Sequence, residues 1–378
     1  MTEIIPPSIY SVAILGGGPA GSACAINLCR LGVKDIIILE SGEYEKFRIG
    51  ESIPPETRNL FQQMGILPAF LQEKHDPCFG SVSYWGDERR GYNDYILSPY
   101  GHGWHLDRRR FNLFLAKEAQ SAGATVLTGA KFLTSKVLND DTFELSYSDS
   151  QNQLDQFKAR IVVDATGSTA LFAHQQGSKK METASLLCLA SRFAATDTPP
   201  VFKLTHLEAV EYGWWYTARL PDKNLLVTLY SDQDTIRQKK LNRADQWMEH
   251  LKNTPNTFKL VSGMSLQDSS PKGFHAPSYR LDRIAGKNWV ALGDAASAYD
   301  PITSQGIIKS LSNAWEVAPI IAKNLLSPNG GFEDFEQSMD ERFRQYLEMR
   351  QHYYRLENRW PDSAFWQKFH QLNTTATL

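Results

Sequence analysis

The chain has 378 residues, 42% of them hydrophobic, and a formal net charge of −2 at pH 7. This length and apolar content fit one large α/β unit with an inserted or appended second layer. The small net charge excludes a long-range attraction to nucleic acid or to an anionic membrane. We find no run of the ~18–20 apolar residues that a membrane-spanning helix requires and no secretory signal, so we expect a cytoplasmic protein. Its four cysteines lack metal-ligand spacing, so we predict free thiols and no metal site.

The first 40 residues carry the pattern of a β-α-β unit. Residues 9–15 are apolar and β-branched, as in a buried parallel strand. Residues 22–32 predict a helix that ends at Gly32. Asp35–Leu39 predict a second buried strand, which stops at Glu40. A unit of this size is a common supersecondary motif.

The turn inside this unit is glycine-rich. Gly16, Gly18 and Gly21 occupy the three glycine positions of G-x-G-x-x-G, between strand and helix. The first glycine permits the tight turn, the second lets the backbone approach a pyrophosphate, and the third allows close helix packing. The helix start offers amide donors to phosphates, and Glu40 stands where an acid can bind ribose hydroxyls. A dinucleotide site is therefore predicted in preference to a tight turn without nucleotide.

Downstream, helices alternate with a β-rich stretch. We predict a helix at Phe111–Ala122, strands within residues 124–129, 142–149 and 159–167, strand-like runs with one helix near Asn242–Lys252 in residues 181–270, a buried strand at 288–295, a long helix at Gln305–Leu326 and further helix at 331–372. This order predicts a nucleotide-binding domain that is built from separated segments and interrupted by a sheet-based substrate layer.

Residues 288–307 decide between NAD and FAD. Gly293 and Asp294 follow a buried strand there, and Pro301 and Gly306 precede the long helix. An acid after such a strand can hold a polyol hydroxyl, and the helix start can direct its dipole at a flavin edge. A simple NAD dehydrogenase has no use for this second element, so FAD is the predicted cofactor.

Five segments together resemble a known family. They are the glycine turn, IGES at Ile49–Ser52, LDRRRF at Leu106–Phe111, VVDATG at Val162–Gly167 and GDAASAYDP at 293–301. The set resembles the flavoprotein monooxygenases of the p-hydroxybenzoate-hydroxylase fold and, among them, the tryptophan-halogenase-like branch. The resemblance implies FAD contacts at Gly16, Gly18, Pro19, Ala20, Gly21, Glu40, Arg108, Gly293, Asp294, Gly306 and Ile307. For Arg108, a solvated charge at a helix start is the alternative, because Arg109 and Arg110 adjoin it.

The implied fold is α/β, with an FAD-binding, doubly wound, Rossmann-like domain. We assign residues 1–75, 100–175 and 276–328 to this domain, 76–99 and 176–275 to a β-rich substrate domain, and 329–378 to a C-terminal helical extension.

Departures from the family pattern narrow the subtype. Hydroxylases that take hydride directly from NADPH usually carry an Asp-Gly pair where this chain runs from Asp164 to Gly167 as DATG. An external reductant or a separate flavin reductase is therefore expected. Tryptophan halogenases carry W-x-W-x-I-P, whereas the corresponding residues 213–221 read GWWYTARLP. Their essential lysine follows the GE segment, and Lys74, the only lysine between Gly50 and Gly80, is expected to be a surface charge.

GWWYTARLP and SAYDPITSQGI together resemble most closely the flavoproteins that mature tryptophylquinone-containing oxidases, the partners of lysine ε-oxidase and glycine oxidase. The resemblance implies oxygenation of a tryptophan side chain in a precursor protein, with O2, through a flavin C4a-hydroperoxide. The predicted catalytic residues are Trp214, Trp215, Tyr216 and Pro301, and strand packing is the alternative for each aromatic side chain. His105 is a candidate acid or base, and a packed or capping histidine is the alternative.

The aromatic C-terminal segment has two interpretations. Tyr353, Trp360 and Trp366 either help to dock a protein substrate or belong to a helical lid that packs on the FAD domain. Other functions also remain open: a hydroxylase or halogenase of a free aromatic molecule, a flavin-binding maturation chaperone without turnover, and a reductase of isoprenoid double bonds.

Overall fold

The computed structural model describes residues 9–194, 203–327 and 331–372. The α-helices in these ranges are α1 Pro19–Arg30, α2 Thr57–Gln63, α3 Leu67–Gln72, α4 Arg108–Ala122, α5 Leu171–Gln175, α6 Gln233–Lys239, α7 Ala244–Lys252, α8 Pro255–Val261, α9 Gly306–Leu326, α10 Glu333–Leu356 and α11 Ala364–His370. None of the helices in this part of the chain is both long and apolar enough to cross a lipid bilayer.

The strands form three sheets. In chain order they are β1 Tyr10–Leu15, β2 Ile36–Leu39, β3 Ser52–Ile53, β4 Asp76–Cys78, β5 Gly80–Tyr84, β6 Gly91–Asp94, β7 Gly103–His105, β8 Thr125–Leu127, β9 Lys131–Val137, β10 Phe143–Ser148, β11 Leu154–Asp164, β12 Lys180–Ala194, β13 Thr205–Val210, β14 Gly213–Arg219, β15 Leu225–Ser231, β16 Ser265–Leu266, β17 Lys272–Leu281, β18 Ala285–Gly286, β19 Trp289–Ala291 and β20 Ser297–Ala298.

The first sheet has a parallel centre. Its order is β18-β19-β11-β1-β2-β8, and β10 and β9 extend it beside β11. β19, β11, β1, β2 and β8 pair in parallel. β2 is buried throughout and reads Ile-Ile-Ile-Leu, as expected for a strand covered on both faces. Because β2 lies on one side of β1 and β11 on the other, the strand order reverses at β1, and ligands bind at such switch points. The predicted α/β class is confirmed.

The second sheet forms the β-rich layer. Its order is β20-β17-β12-β15-β14-β13-β5-β6, with β16 beside β12. Strands β5, β6, β12 to β17 and β20 therefore meet in one sheet, although β8 to β11, which lie between them in the chain, belong to the first sheet. β17 crosses the proposed domain boundary at residue 276 and pairs along its length with β12. A small third sheet, β3-β7-β4, places residues 51–53 between the two larger sheets.

Several helix bounds differ from the predictions. α1 begins at Pro19 rather than at residue 22, which suits proline because the first helical N–H has no intrahelical partner. α4 begins at Arg108 rather than at Phe111, because the Asp107 carboxylate accepts hydrogen bonds from the N–H groups of Arg109 and Arg110 at 3.0 and 3.3 Å. The predicted helix near Asn242–Lys252 is present as α7, but α6 and α8, which also lie in residues 181–270, were not predicted.

Candidate active site

The glycine turn follows β1 at the switch point. Gly16 has φ +109°, and a Cβ at this position would collide with the carbonyl oxygen of Ala165. A Cβ at Gly21 would collide with the carbonyl oxygen of Gly16. Gly18 differs, because a Cβ there would meet nothing within 4 Å and would point into open space. Gly16 and Gly21 therefore allow close backbone-to-backbone contact. Gly18 leaves open space at the start of α1, and we call this space the cradle.

Backbone amides and one carboxylate surround this cradle. Gly18 is the N-cap of α1, and no side chain caps the helix there. The Glu40 carboxylate accepts hydrogen bonds from the N–H groups of Gly17 at 2.8 Å and Gly42 at 2.9 Å. A carboxylate has about four acceptor positions, so Glu40 is fixed in place and can still accept from ribose hydroxyls.

Two adjoining cavities open at the carboxyl end of the parallel strands. The first, of about 440 Å³, is lined by Gly16, Gly18, Pro19, Ala20 and Glu40, among others. The second, of about 270 Å³, lies toward the second sheet. Both are lined by Pro19, Arg108, Asp294 and Ser310, which therefore mark where they meet.

Arg108 turns inward at this junction. Its Nη1 donates hydrogen bonds to the carbonyl oxygens of Ile49 at 2.7 Å and Gly50 at 2.8 Å. Burial lowers the pKa of Arg108 to about 10, which still leaves the side chain charged at pH 7. Its buried Nε has no hydrogen-bond partner among the described residues. The solvated charge considered from the sequence is not what the structure shows, and the free donor faces a site that can take a polar ligand.

The second predicted motif lies across the junction. Lys309 donates a hydrogen bond to Asp294 at 3.0 Å and another to the carbonyl oxygen of Ser297. α9 starts at Gly306 without a side-chain cap, and Gly306 and Ile307 line the second cavity. Gly293 has φ +57°, and a Cβ at this position would crowd Ala20 of α1. Amide donors at a helix start therefore face the second cavity.

Aromatic side chains form the far wall of the second cavity. Trp214 and Tyr216 reach it from β14, together with Tyr230 of β15 and Pro301. Trp214 stacks on Tyr230 with ring centroids 4.1 Å apart, and its Nε1 donates to the Tyr354 hydroxyl at 3.3 Å. The wall is flat, apolar and closely packed.

The structure does not bring Trp215 into this cavity. Trp215 is fully buried on the opposite face of the sheet, where it packs edge-on against Trp247 at 5.1 Å. Successive side chains of a strand point to opposite faces, so Trp214 and Trp215 cannot share one pocket. The assignment of Trp215 to the catalytic set is therefore corrected, since its surroundings are those of a core residue.

Two buried carboxyl groups of the second cavity were missing from the predicted site. Glu51 and Asp300 line the cavity with 3% and 1% of their surfaces exposed. Burial raises the pKa of both. Asp300 accepts hydrogen bonds from Ile302 N–H at 3.0 Å and from the Tyr354 hydroxyl at 3.0 Å. Glu51 stands in the IGES segment, which carries part of the family resemblance but no predicted role for this residue.

Two other residues singled out from the sequence lie outside the cavities. His105 is buried, with its Nε2 3.1 Å from Thr205 Oγ1, and burial lowers its pKa to about 4. It is a packed, neutral histidine. Lys74 is exposed at the end of α3.

The C-terminal aromatic residues pack on the second sheet. Trp366 is buried, and its Nε1 donates to the Val210 carbonyl oxygen at 2.9 Å, so a docking role for Trp366 is wrong. Trp360 stacks on Trp366, and the Tyr353 carbonyl oxygen accepts from Trp85 Nε1 at 2.8 Å. The C-terminal helical segment therefore packs against the second sheet and not against the FAD domain alone.

The residues present fit FAD. The first cavity has open space at Gly18, the uncapped amides at the start of α1 and the Glu40 carboxylate, which is placed to accept from a ribose. Arg108, whose Nε has no partner among the described residues, and the start of α9 line the second cavity. These features together define an FAD-dependent oxidoreductase with a Rossmann-like cofactor domain.

Comparison with known proteins identifies the family. A family profile described as "Tryptophan halogenase" matches residues 11–96 and 89–378, and the chain belongs to this family. The putative FAD-dependent oxidoreductase LodB of Marinomonas mediterranea is 26% identical over 367 residues, which cover 96% of this chain and 97% of LodB. The branch predicted from the sequence is confirmed.

Solved structures show the same fold. The myxobacterial chondrochloren halogenase CndH superposes with a TM-score of 0.86 at 18% identity, covering 98% of this chain and 87% of CndH. QhpG, described as a peptidyl tryptophan dihydroxylase essential for tryptophylquinone cofactor biogenesis, superposes with a TM-score of 0.74 at 22% identity, covering 96% of this chain and 78% of QhpG.

Proposed function

We propose that this protein is an FAD-dependent monooxygenase that oxygenates a tryptophan side chain of a partner precursor protein during tryptophylquinone biogenesis. The observation that carries the proposal is the second cavity, which has an aromatic wall and two buried carboxyl groups and adjoins the first cavity, where FAD would bind. The named activity of QhpG and the end-to-end match to LodB support it.

The walls of the second cavity suit an indole ring. Trp214, Tyr230 and Pro301 offer flat apolar surface, on which aromatic rings stack favourably. Glu51 and Asp300 supply acceptors that an indole N–H can meet. The carboxyl groups in the lining and the volume of about 270 Å³ do not match the long apolar tunnel that a reductase of isoprenoid chains needs.

A lysine position separates oxygenation from halogenation. By family resemblance, halogenases use a lysine that follows the GE segment. Lys74, the only lysine in the corresponding stretch, is exposed and does not line the second cavity. Lys309 lines neither cavity and is already paired with Asp294. The missing lysine favours oxygenation over the halogenase alternative.

The proposed cofactor contacts follow from the lining of the two cavities. Gly18, with the start of α1, would hold the pyrophosphate, Glu40 a ribose, and Asp294 the polyol chain. The start of α9, with Gly306 and Ile307, would face the flavin ring.

Bound and reduced FAD supplies the two electrons with which one atom of O2 leaves as water while the other replaces a hydrogen on the substrate. The buried aromatic wall around Trp214 and Tyr216 would exclude bulk water from this step. O2, the precursor protein and an external reductant or flavin reductase are the proposed partners.

Co-expression tests the proposal. A quinoprotein oxidase precursor is produced with this protein or with a Gly18→Val variant that cannot hold FAD, and its tryptophan peptides are compared by mass spectrometry. We expect added oxygen on one tryptophan only with the unchanged protein. A precursor that is oxygenated equally with both proteins would contradict the proposal. One that stays unmodified with both while binding this protein would favour the maturation-chaperone alternative.

A further inference from the structure

The two buried carboxyl groups of the second cavity are held differently. Both oxygens of Asp300 accept hydrogen bonds, Oδ1 from the Ile302 N–H and Oδ2 from the Tyr354 hydroxyl. Asp300 thereby caps the 3-10 turn after residue 300 and ties α10 to the cavity. A proton on either oxygen would disrupt one of these bonds, so Asp300 is suited to hold structure.

Glu51 has a different environment. Its carboxyl faces the Tyr216 hydroxyl and, farther away, the charged Arg108. The Tyr216 hydroxyl lies 2.7 Å from Ser52 Oγ, and Ser52 Oγ lies 3.4 Å from Thr205 Oγ1. A chain of hydroxyl groups therefore leads from Glu51 through Tyr216 and Ser52 to Thr205, and each hydroxyl can both donate and accept.

We infer that Glu51 is the proton acceptor of the oxygenation reaction and that Tyr216 positions its carboxylate. The inference rests on the proposed function. When an oxygen atom becomes bonded to a ring carbon of the substrate indole, the C–H bond at that carbon must break. Its electron pair restores the aromatic ring, and its proton moves to a Glu51 oxygen. Glu51 is then neutral, and it returns the proton to solvent when the cavity opens to release product.

Asp300 and His275 line the same cavity as Glu51, and four further ionisable groups act on the Glu51 carboxyl. They are Arg108 on α4, Tyr216 on β14, Tyr230 on β15 and Cys188 on β12. Burial raises the pKa values of both tyrosines and of the cysteine, so these three stay neutral at pH 7. Arg108 stays positive, since its pKa is lowered only to about 10.

Burial raises the pKa of Glu51, and the Tyr216 hydroxyl and Arg108 only partly offset this. A base pKa that lies closer to the working pH makes proton transfer more effective. Because the ionised form accepts the proton, turnover should fall as the pH decreases through the pKa of Glu51.

The variants are Glu51→Gln, which keeps the shape but cannot accept the proton, Glu51→Asp, which keeps the acid, and Glu56→Gln as the control. Glu56 is exposed five positions along the chain, before α2. With a tryptophan peptide of the precursor as substrate and chemically reduced FAD, we expect Glu51→Gln to lower kcat by about 100-fold or more while KM changes little. Glu51→Asp should recover part of the loss, and Glu56→Gln should match the unchanged protein.

A second readout needs no substrate. The flavin absorption spectrum of the FAD-loaded protein is recorded against pH, together with the infrared carboxylic-acid band. We expect a spectral transition above the ordinary glutamate range that Glu51→Gln removes and Glu56→Gln retains. The acidic limb of the kcat profile should disappear in the same variant.

The outcomes separate the two proposals. Equal kcat values for Glu51→Gln and the unchanged protein, with oxygenated tryptophan in both, would overturn the role of Glu51 and leave the proposed function standing. A spectral transition of unchanged size and midpoint in Glu51→Gln would overturn that role as well, since Asp300, whose pKa burial also raises, would then be its source. Absence of oxygenated peptide with the unchanged, fully FAD-loaded protein would overturn the proposed function, and the role of Glu51 with it.

Discussion

The two cavities of this protein are built in opposite ways. The first takes its glycine cradle, its helix-start amides and a carboxylate fixed by backbone amides from residues 16–42. The second is lined mainly by side chains from distant segments, among them Glu51, Tyr216 and Asp300. A backbone site tolerates change around it but not at its glycines, whereas a side-chain site can change its chemistry one residue at a time.

This contrast explains why the cofactor is easier to assign than the reaction. One relative and one fold neighbour of this chain are named as halogenases, and another fold neighbour is named as a dihydroxylase. A shared first cavity and a variable second cavity would give this spread. Variants of the first cavity should therefore change FAD binding, whereas variants in and behind the second cavity should change turnover or the free energy of unfolding.

Gly18→Val should fill the pyrophosphate cradle. Its Cβ would point into open space now, so the apoprotein should fold normally. Loss of one or two amide–phosphate hydrogen bonds should weaken FAD binding by on the order of 100- to 1,000-fold. Fluorescence titration with FAD measures this, and Gly273→Val on exposed β17 is the control that should bind FAD normally. A Gly18→Val protein that purifies fully loaded would contradict the loop assignment.

His105→Gln should flatten the acid side of the stability profile. The folded-state pKa of His105 is lowered to about 4 from an ordinary value of 6.5. The unfolded chain therefore binds more protons between these values, so stability is lost as the pH falls from 6.5 toward 4. The expected contribution is about 3 kcal/mol.

Urea unfolding at pH 7 and pH 4.5 measures this loss, with His352→Gln on exposed α10 as the control. His75 and His206, whose pKa values are also lowered to about 4, should leave part of the acid dependence in place. An acid dependence that is identical in His105→Gln would show that folding does not lower the pKa of His105.

Trp214→Phe and Trp215→Phe should separate cavity from core on one strand. Trp215→Phe leaves a void beside Trp247 and should lower the free energy of unfolding by about 2 kcal/mol without changing kcat. Trp214→Phe keeps the stack on Tyr230 but alters the cavity wall, and should change kcat or KM several-fold. The opposite pattern, with Trp215 controlling turnover, would show that the sheet faces the flavin with its other side.

Tyr354→Phe should loosen the tie between α10 and the second cavity. The hydroxyl accepts from Trp214 Nε1 and donates to Asp300, so its removal leaves a buried carboxylate oxygen unpartnered. The free energy of unfolding should fall by about 1–2 kcal/mol. Tyr353→Phe, at the half-exposed neighbour, should change it by less than about 0.5 kcal/mol. Equal stabilities of the two variants would show that the Tyr354 bonds contribute little.

The same contrast governs what the sequence could predict. The glycine turn, Glu40 and Asp294 each sit next to a predictable strand, so local pattern was enough to place them at one groove. The early start of α1 was also readable, because proline favours the first helical position. These are short-range signals.

The second cavity depends on long-range pairing. Strand alternation shows that only one of Trp214 and Trp215 faces the cavity, but the choice depends on which side of the sheet meets the cofactor domain. Tyr354 reaches Asp300 across 54 positions of sequence, and Tyr216 reaches Ser52 across 164. Glu51 carries no local mark of burial, since a short polar segment gives no hydrophobic period.

The central claim is that the second cavity directs oxygen, rather than halogen, to a tryptophan ring. The most direct measurement is a single turnover of the reduced, FAD-loaded protein with a tryptophan peptide of the precursor, isotope-labelled O2 and bromide in one vessel, followed by mass spectrometry of the peptide. If the protein is an oxygenase, we expect labelled oxygen on the tryptophan and no bromine. A bromine isotope pattern, or an unlabelled peptide with all oxygen recovered as peroxide, would contradict it.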